Sequence, residues 1–341
     1  MKAPLLKRIC RRLKRMLLGS EYLFFKKAVK TSTGEKIYPP YYNLFCDIQD
    51  QVPEIYNKYG KSMEVFFIRD FHVAHAPYHN SSDYFLWDRF NIGLKTHFYT
   101  HDAMLETMGK PTYRYGSLME SPAIVPKDYE IFSKHKGLEH DFDAIFTYDE
   151  KILDSVENAK FFPWCAGLWY GNPLGGGALD GVAHQRKTEN ISIVSSDKRS
   201  CELHIARIKL AEKLQKAGLA KAFGTFNSST TINIAESLEK FRYSVVIENM
   251  ITPYFFTEKI TNCFAAMTVP IYLGATRIHE FFNPDGIIQI ALKDIDNIEK
   301  VITQCGAADY KQRLPAIKEN YEKAQRYRNI NNYLYESFFL K

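Results

Sequence analysis

Along the 341-residue chain, apolar residues gather in short runs separated by stretches of helical period. Met63 to Ile68 (MEVFFI), Tyr115 to Met119, Asp143 to Thr147 and Lys160 to Pro163 each predict a strand in the first half. Ile191 to Val194, Lys221 to Phe226, Tyr243 to Ile247, Val269 to Leu273 and Ile287 to Ile290 do so in the second. Helical patterns lie between the later strands. Glu202 to Ala217 places Leu203, Ala206, Leu210 and Leu214 on one face, and Ile232 to Phe241 and Ile295 to Gln304 follow. A tyrosine-rich tail from Ala316 to Leu340 reads as helix. Strands alternating with helices predict α/β domains with parallel sheets. Asp88 to Asn91 and Thr96 to Thr100 are polar and aromatic, with no clean period.

The most informative pattern is Tyr243 to Gly274, YSVVIENMITPYFFTEKITNCFAAMTVPIYLG. An apolar β-branched run, suited to a strand buried on both faces, stops at Glu248 and Asn249. A loop with Pro253 follows. Thr257 then caps a helix that begins Glu258–Lys259 and carries Ile260, Phe264 and Met267. The second short run ends at Gly274. In open α/β sheets, ligands bind at the carboxyl ends of strands against helix N-termini. Glu248, Asn249, Glu258 and Lys259 all fall there, although each alone is an ordinary capping acid or exposed lysine.

The whole string resembles the core motif of the α-1,3/4-fucosyltransferases, glycosyltransferase family 10, in bacterial form. That motif runs F/I-E-N, a short loop, Y-x-T-E-K, an apolar helix and P-I/V-Y/V-x-G. Ile247–Asn249, Thr257–Lys259 and Pro270–Gly274 match it, while Phe255 stands where the family usually has tyrosine, leaving an apolar contact or substitution by Tyr254. The resemblance implies a GT-B fold: α/β, with two Rossmann-like parallel-sheet domains and the cleft between them. It implies inverting transfer of L-fucose from GDP-fucose to a hydroxyl of a glycan acceptor. Asn249, Phe255, Glu258 and Lys259 would bind the donor. A basic residue near the first helix of the domain would hold the pyrophosphate; Arg207 matches best by spacing, with Arg199 second. Members carry an E-N-x-x-P-like motif whose glutamate is the proposed catalytic base. Glu120–Ser121–Pro122 is the match, with serine replacing asparagine and the proline earlier. Cationic side chains can replace a metal in such a reaction, so no cofactor or metal is expected. Two alternatives stay open: a transferase of the same fold using another nucleotide sugar, and a non-catalytic, membrane-associated glycan-binding protein.

Other motifs add little. Asp141–Phe142–Asp143 is formally a D-x-D, but it precedes a strand, whereas the metal-binding form ends one. His72, His75 and His79 lack a fourth ligand and are interrupted by Pro77. Gly171 to Gly181 holds five glycines without the G-K-[ST] ending of a phosphate loop, and reads as a linker. The expected organisation is a basic segment at 1–30, an acceptor-side domain at 31–170, a linker at 171–188, a nucleotide-sugar domain at 189–310 and a C-terminal helix at 311–341.

Charge refines this picture. The net charge is +6, yet residues 1–30 hold ten Lys/Arg and one acid, so the body is slightly acidic. That argues against a nucleic-acid partner. In the basic segment Leu5, Leu6, Ile9, Leu13, Met16 and Leu17 recur at helical spacing opposite Lys7, Arg8, Arg11, Arg12, Lys14 and Arg15. Such a helix can lie on an anionic membrane surface, or dock on the protein. Charges interrupt every apolar stretch, which excludes a signal peptide or a membrane span. Six scattered cysteines without a C-x-x-C pair suit reduced thiols. The expected location is the cytoplasm, peripheral on the inner face of a membrane. Full-length protein should therefore sediment with anionic vesicles through residues 1–25 and be released by 1 M salt, where the Debye length is about 3 Å. Equal sedimentation of full-length protein and a chain lacking 1–25 would refute this.

Overall fold

A computed structural model describes residues 64–69, 82–88, 92–170, 186–227 and 233–340, with a short antiparallel pair, Val29–Lys30 and Lys36–Ile37. Residues 1–25, the His72 to His79 loop and Gly171 to Gly181 lie outside the described residues. The chain divides into two compact units. The first holds residues up to Leu118 with Glu130–Phe146 and Val156–Lys160; the second holds Met119–Tyr129, Thr147–Ser155 and Phe161–Lys341.

The first unit is a six-stranded sheet: β1 (Glu64–Arg69), β2 (Phe85–Asp88), β3 (Thr96–Thr100), β4 (Tyr113–Ser117), β5 (Ala144–Thr147) and β6 (Ala159–Phe161). Their spatial order is β2-β1-β3-β4-β5-β6, with β1 to β5 paired in parallel. One short helix, α1 (Ile131–Lys134), belongs to this unit. The polar-aromatic Thr96 to Thr100 stretch, which has no clear period in sequence, is a fully buried strand in the middle of the sheet. The Tyr99 hydroxyl and His97 Nδ1 are satisfied internally, while His97 Nε2 is buried without a hydrogen-bond partner among the described residues. The Tyr99 hydroxyl donates to Met108 O and accepts from Met108 N, both at 2.9 Å, and lies 2.9 Å from His97 Nδ1. An aromatic cluster of Phe66, Phe85, Trp87 and Phe98 packs beside it. The Asp141–Asp143 pair is a turn fastening: Asp143 accepts from Arg114 N at 2.7 Å, and Arg114 Nη1 donates to Asp141 O.

The second unit is a five-stranded parallel sheet: β7 (Glu189–Val194), β8 (Lys221–Phe223), β9 (Phe241–Ile247), β10 (Val269–Leu273) and β11 (Ile288–Gln289), in the order β8-β7-β9-β10-β11. Its helices are α2 (Glu150–Ser155), α3 (Glu202–Lys216), α4 (Ile234–Leu238), α5 (Glu258–Ala265), α6 (Ile298–Ile302), α7 (Ala307–Ala324) and α8 (Ile330–Phe338). The chain winds outward in both directions from β7 and β9, so the order reverses between them. Such a switch point leaves a crevice at the carboxyl ends of the two strands. The β9 and β10 runs are almost wholly buried, in keeping with their largely apolar composition.

Several boundaries differ from expectation, each for a local reason. The range 31–170 does not stay in one unit, because the loops after β4 and β5 fold onto the second. There Tyr129 and Tyr148 both donate to Glu120 O, and the Tyr148 ring packs on Phe255. Met267 does not continue α5. It takes a left-handed φ of 55°, with Met267 N bonded to Phe264 O and Thr268 N to Cys263 O, a Schellman ending. The tail is two helices rather than one, because Asn329 caps α8 by accepting from Asn331 N and Asn332 N. Among the described residues, no helix is long and apolar enough to cross a membrane.

Opposite the switch point, the buried Lys187 ties helix ends together. Its Nζ donates to Leu238 O (3.1 Å), Ala266 O (2.5 Å) and Thr268 Oγ1 (2.9 Å), where α4 and α5 present C-terminal carbonyls. A cation there complements the helix dipoles. Burial pulls the ammonium down to about 7. The unfolded chain holds that proton to about 10.4, so stability should rise with pH between those values. Lys187→Met should remove that rise and cost about 1–3 kcal/mol by orphaning the oxygens. Thermal melts at pH 7 and pH 9.5 check both; equal pH dependence in the two proteins would refute the role.

Candidate active site

The site is built around the carboxylate of Glu248, fully buried at the end of β9. Its Oε1 accepts from Thr257 N (2.9 Å) and its Oε2 from Thr257 Oγ1 (2.8 Å). Oε2 also lies 3.3 Å from Lys259 Nζ. One carboxylate thus fastens the strand end to the first turn of α5, where Thr257 is the N-cap and donors would otherwise be orphaned. Gly274 completes the fit, since a Cβ there would collide with Glu248 Cγ and the Tyr272 hydroxyl. Burial raises the Glu248 pKa, against the pull of Lys259. For Lys259 burial opposes the charge, but Glu258 and Glu248 outweigh it and the pKa rises, so the ammonium stays protonated. Lys259 keeps 26% of its side chain exposed, and its Nζ is 3.5 Å from Glu258 Oε1. The cation is anchored from below and open from above.

Two side chains from α3 reach the same strand end. Arg207 is 5% exposed and donates through Nη1 to Ile247 O at 2.8 Å, while its Nε has no partner among the described residues. Burial pulls its pKa down, and the charges of Glu248 and Glu258 oppose that pull. His204 Nε2 lies 2.9 Å from Asn249 Oδ1. Both residues sit on the buried face of α3, beside Leu203 and Leu210. Arg207, Asn249, Glu258 and Lys259 are therefore brought together as the sequence suggested. Arg199 is exposed.

Glu120 belongs to the same compact unit, not to the first. It is half-buried, and its Oε1 accepts from Ser121 N at 2.8 Å. Three groups hold its backbone: Tyr129 OH to Glu120 O (2.6 Å), Tyr148 OH to Glu120 O (3.2 Å) and Cys165 Sγ to Met119 O (3.0 Å). The Cys165 thiol is pushed well up by burial and then by the charges of Glu120 and Glu258, with Lys259 acting against them. Both the candidate base and the candidate donor ligands thus lie within electrostatic reach of one sulfur.

Phe255 is placed differently from the expectation of a ring facing the donor. The residue is 1% exposed, its ring packs on Tyr148 at 4.8 Å and its backbone N–H donates to Thr252 Oγ1, so it is turned inward. Tyr254 does not take its place, because its ring lies under Arg277 at 4.9 Å and its hydroxyl is bonded to the same guanidinium. Sequence reasoning placed Glu248 at the ligand-binding strand end without assigning it a role, and assigned none to His204 or Cys165. For Glu248 and His204 a signal existed: an acid ending an apolar strand, and a polar residue on the apolar face of a helix.

Residues 184–330 match the glycosyltransferase family 10 (fucosyltransferase) C-terminal domain. No curated protein matches the chain. Among solved structures, an α1,3-fucosyltransferase with GDP-fucose is similar at 15% identity and TM-score 0.45, over 82% of this chain and 91% of that one. The same enzyme type with GDP gives 14% and 0.47, over 80% and 92%. Anabaena Alr3699/HepE in complex with UDP and glucose gives 10% and 0.49, over 81% and 99%. The protein is a glycosyltransferase. The family 10 match falls wholly within the second unit, and the switch-point cluster lies inside the matched residues.

If Glu248 is the anchor, Glu248→Gln should lower stability by about 2–4 kcal/mol, since it leaves Lys259 without its buried counter-charge. Calorimetry of the purified variant checks this, and an unchanged melting temperature would show that the pair is not what holds α5 to β9.

Proposed function

We propose that the protein transfers L-fucose from GDP-fucose to a hydroxyl of a glycan acceptor, with inversion at the anomeric carbon. The observation that carries the reading is the family 10 match over 184–330, which encloses two cations at the switch point, the buried Arg207 and the partly exposed Lys259. In this reaction the acceptor oxygen bonds to the anomeric carbon as the bond from that carbon to the GDP oxygen breaks. The acceptor proton passes to the Glu120 carboxylate. Negative charge develops on the departing diphosphate, where Arg207, Lys259 and the N-terminus of α5 stabilise it. Glu258 and Asn249 hydrogen-bond the nucleoside or the sugar. The two cations supply the charge compensation, so we expect turnover in EDTA. The buried Phe255 ring favours one second reading, a different nucleotide sugar, because the family's tyrosine hydroxyl is missing there. We place the enzyme in the cytoplasm, held peripherally at an anionic inner leaflet by residues 1–25.

A thermal-shift panel with GDP, UDP and CMP separates the donors. A bound nucleotide at about 100 times its Kd adds about 2.7 kcal/mol, and GDP is expected to give the largest shift. Glu120→Gln should keep that shift and lose roughly 10²–10⁴ in kcat for transfer from GDP-fucose, as removal of a general base does. A larger shift with UDP would overturn the donor, and a near-parental kcat would remove Glu120 from the mechanism.

A further inference from the structure

At the switch point His204 has neighbours that fix its chemistry. The ring is buried on α3, 4% exposed. Ser200 N donates to Nδ1 at 3.2 Å, and Nε2 lies 2.9 Å from the side-chain oxygen of Asn249. A backbone N–H can only donate, so Nδ1 accepts. A neutral imidazole has one N–H, which must then sit on Nε2. That N–H donates, so the Asn249 atom receiving it is the carbonyl oxygen, and the amide flip follows from the network. Burial, then the charge of Arg207, lowers the His204 pKa against the Asn249 bond, which favours the neutral ring; Lys259 and Lys198 add to this.

The consequence lies at the other end of the amide. With Oδ1 occupied, Asn249 turns its NH₂ away from His204. The side chain is half-buried, and the NH₂ makes no hydrogen bond to a described residue. Cys201 Sγ, 3.4 Å from Asn249 O, restrains the backbone as well. Asn249 therefore presents a donor rather than an acceptor here, beside the cations of Arg207 and Lys259.

We propose that His204 is a positioning residue that locks the Asn249 amide, so that Asn249 recognises a hydrogen-bond-accepting oxygen of the nucleoside diphosphate. The inference rests on the donor-site reading above and adds to it a direction for the hydrogen bond. Without the Nε2–H donor, Asn249 can flip and offer its oxygen to the ligand's oxygen.

Titration calorimetry of GDP into the full-length protein tests this. His204→Leu should weaken GDP binding about tenfold, and His204→Gln, whose amide can still donate to Asn249, should restore most of the loss. Asn249→Asp should bind GDP more weakly than Asn249→Ala, because a carboxylate opposes an oxygen acceptor where alanine merely loses the bond. A folded His204→Leu with parental affinity overturns the relay. So does Asn249→Asp binding as well as Asn249→Ala or better. Should His204→Leu fail to fold by circular dichroism, the Asn249 pair decides alone. A parent protein that binds no GDP overturns the donor reading and this inference together, which separates that failure from failure of the relay.

Discussion

The buried carboxylate of Glu248 is the constraint on which the site depends. It is the first polar side chain after an apolar strand, and it meets three donors from the next helix: a backbone N–H, a hydroxyl and an ammonium. Each needs the others. The backbone N–H of Thr257 would be an orphan of the helix start, the acid would be an uncompensated buried charge, and Lys259 would be free to swing. Fastened together, they fix where α5 begins relative to β9, and that fixes where its dipole and its lysine point. Gly274 belongs to the same constraint, because the closeness of Tyr272 to Glu248 leaves no room for a Cβ.

A buried ion pair is a poor device for stability, since desolvating two charges can cost as much as their attraction returns. An apolar pair of the same volume would hold a strand to a helix as well. What it could not do is leave one partner protonated and partly exposed. Here the acid is fully buried while Lys259 is 26% exposed, so the cation is oriented without being consumed. Arg207 follows the same logic, with one nitrogen spent on Ile247 O and its Nε without a partner among the described residues.

The legible part of the chain was the part with a strong period or a strong motif. The β9–α5–β10 unit follows from its apolar runs and from Thr257 as cap, and Arg207 and Asn249 fell where the switch point needs them. The middle strand of the first sheet was not legible, because Thr96 to Thr100 mixes polar and aromatic residues without a period, and the Tyr99 hydroxyl is satisfied by Met108, a contact no local pattern announces. The end of α5 was missed for a similar reason: Met267 is apolar and in phase, yet it adopts a left-handed conformation that sequence period does not encode. Phe255 shows the limit of motif transfer. It occupies the motif position, but its apolar ring finds more partners inside, on Tyr148, than at a polar surface.

The domain boundary misled most, and the correction bears on mechanism. Met119–Tyr129 and Thr147–Ser155 are sequence neighbours of first-unit strands, but tyrosine hydroxyls and a thiol draw them into the second unit. Glu120 is thereby held on the same compact body as Arg207, Glu248 and Lys259. Domains of one chain commonly rotate about their connections. A base and a leaving-group site carried on different bodies would have their separation reset by every such motion. Carried on one body, their separation is set by packing, through Tyr148 against Phe255 and Cys165 against Met119. Near-attack geometry tolerates errors of well under an ångström, so on the function proposed above, rigid placement of both groups serves the transfer better than their placement on separate bodies would.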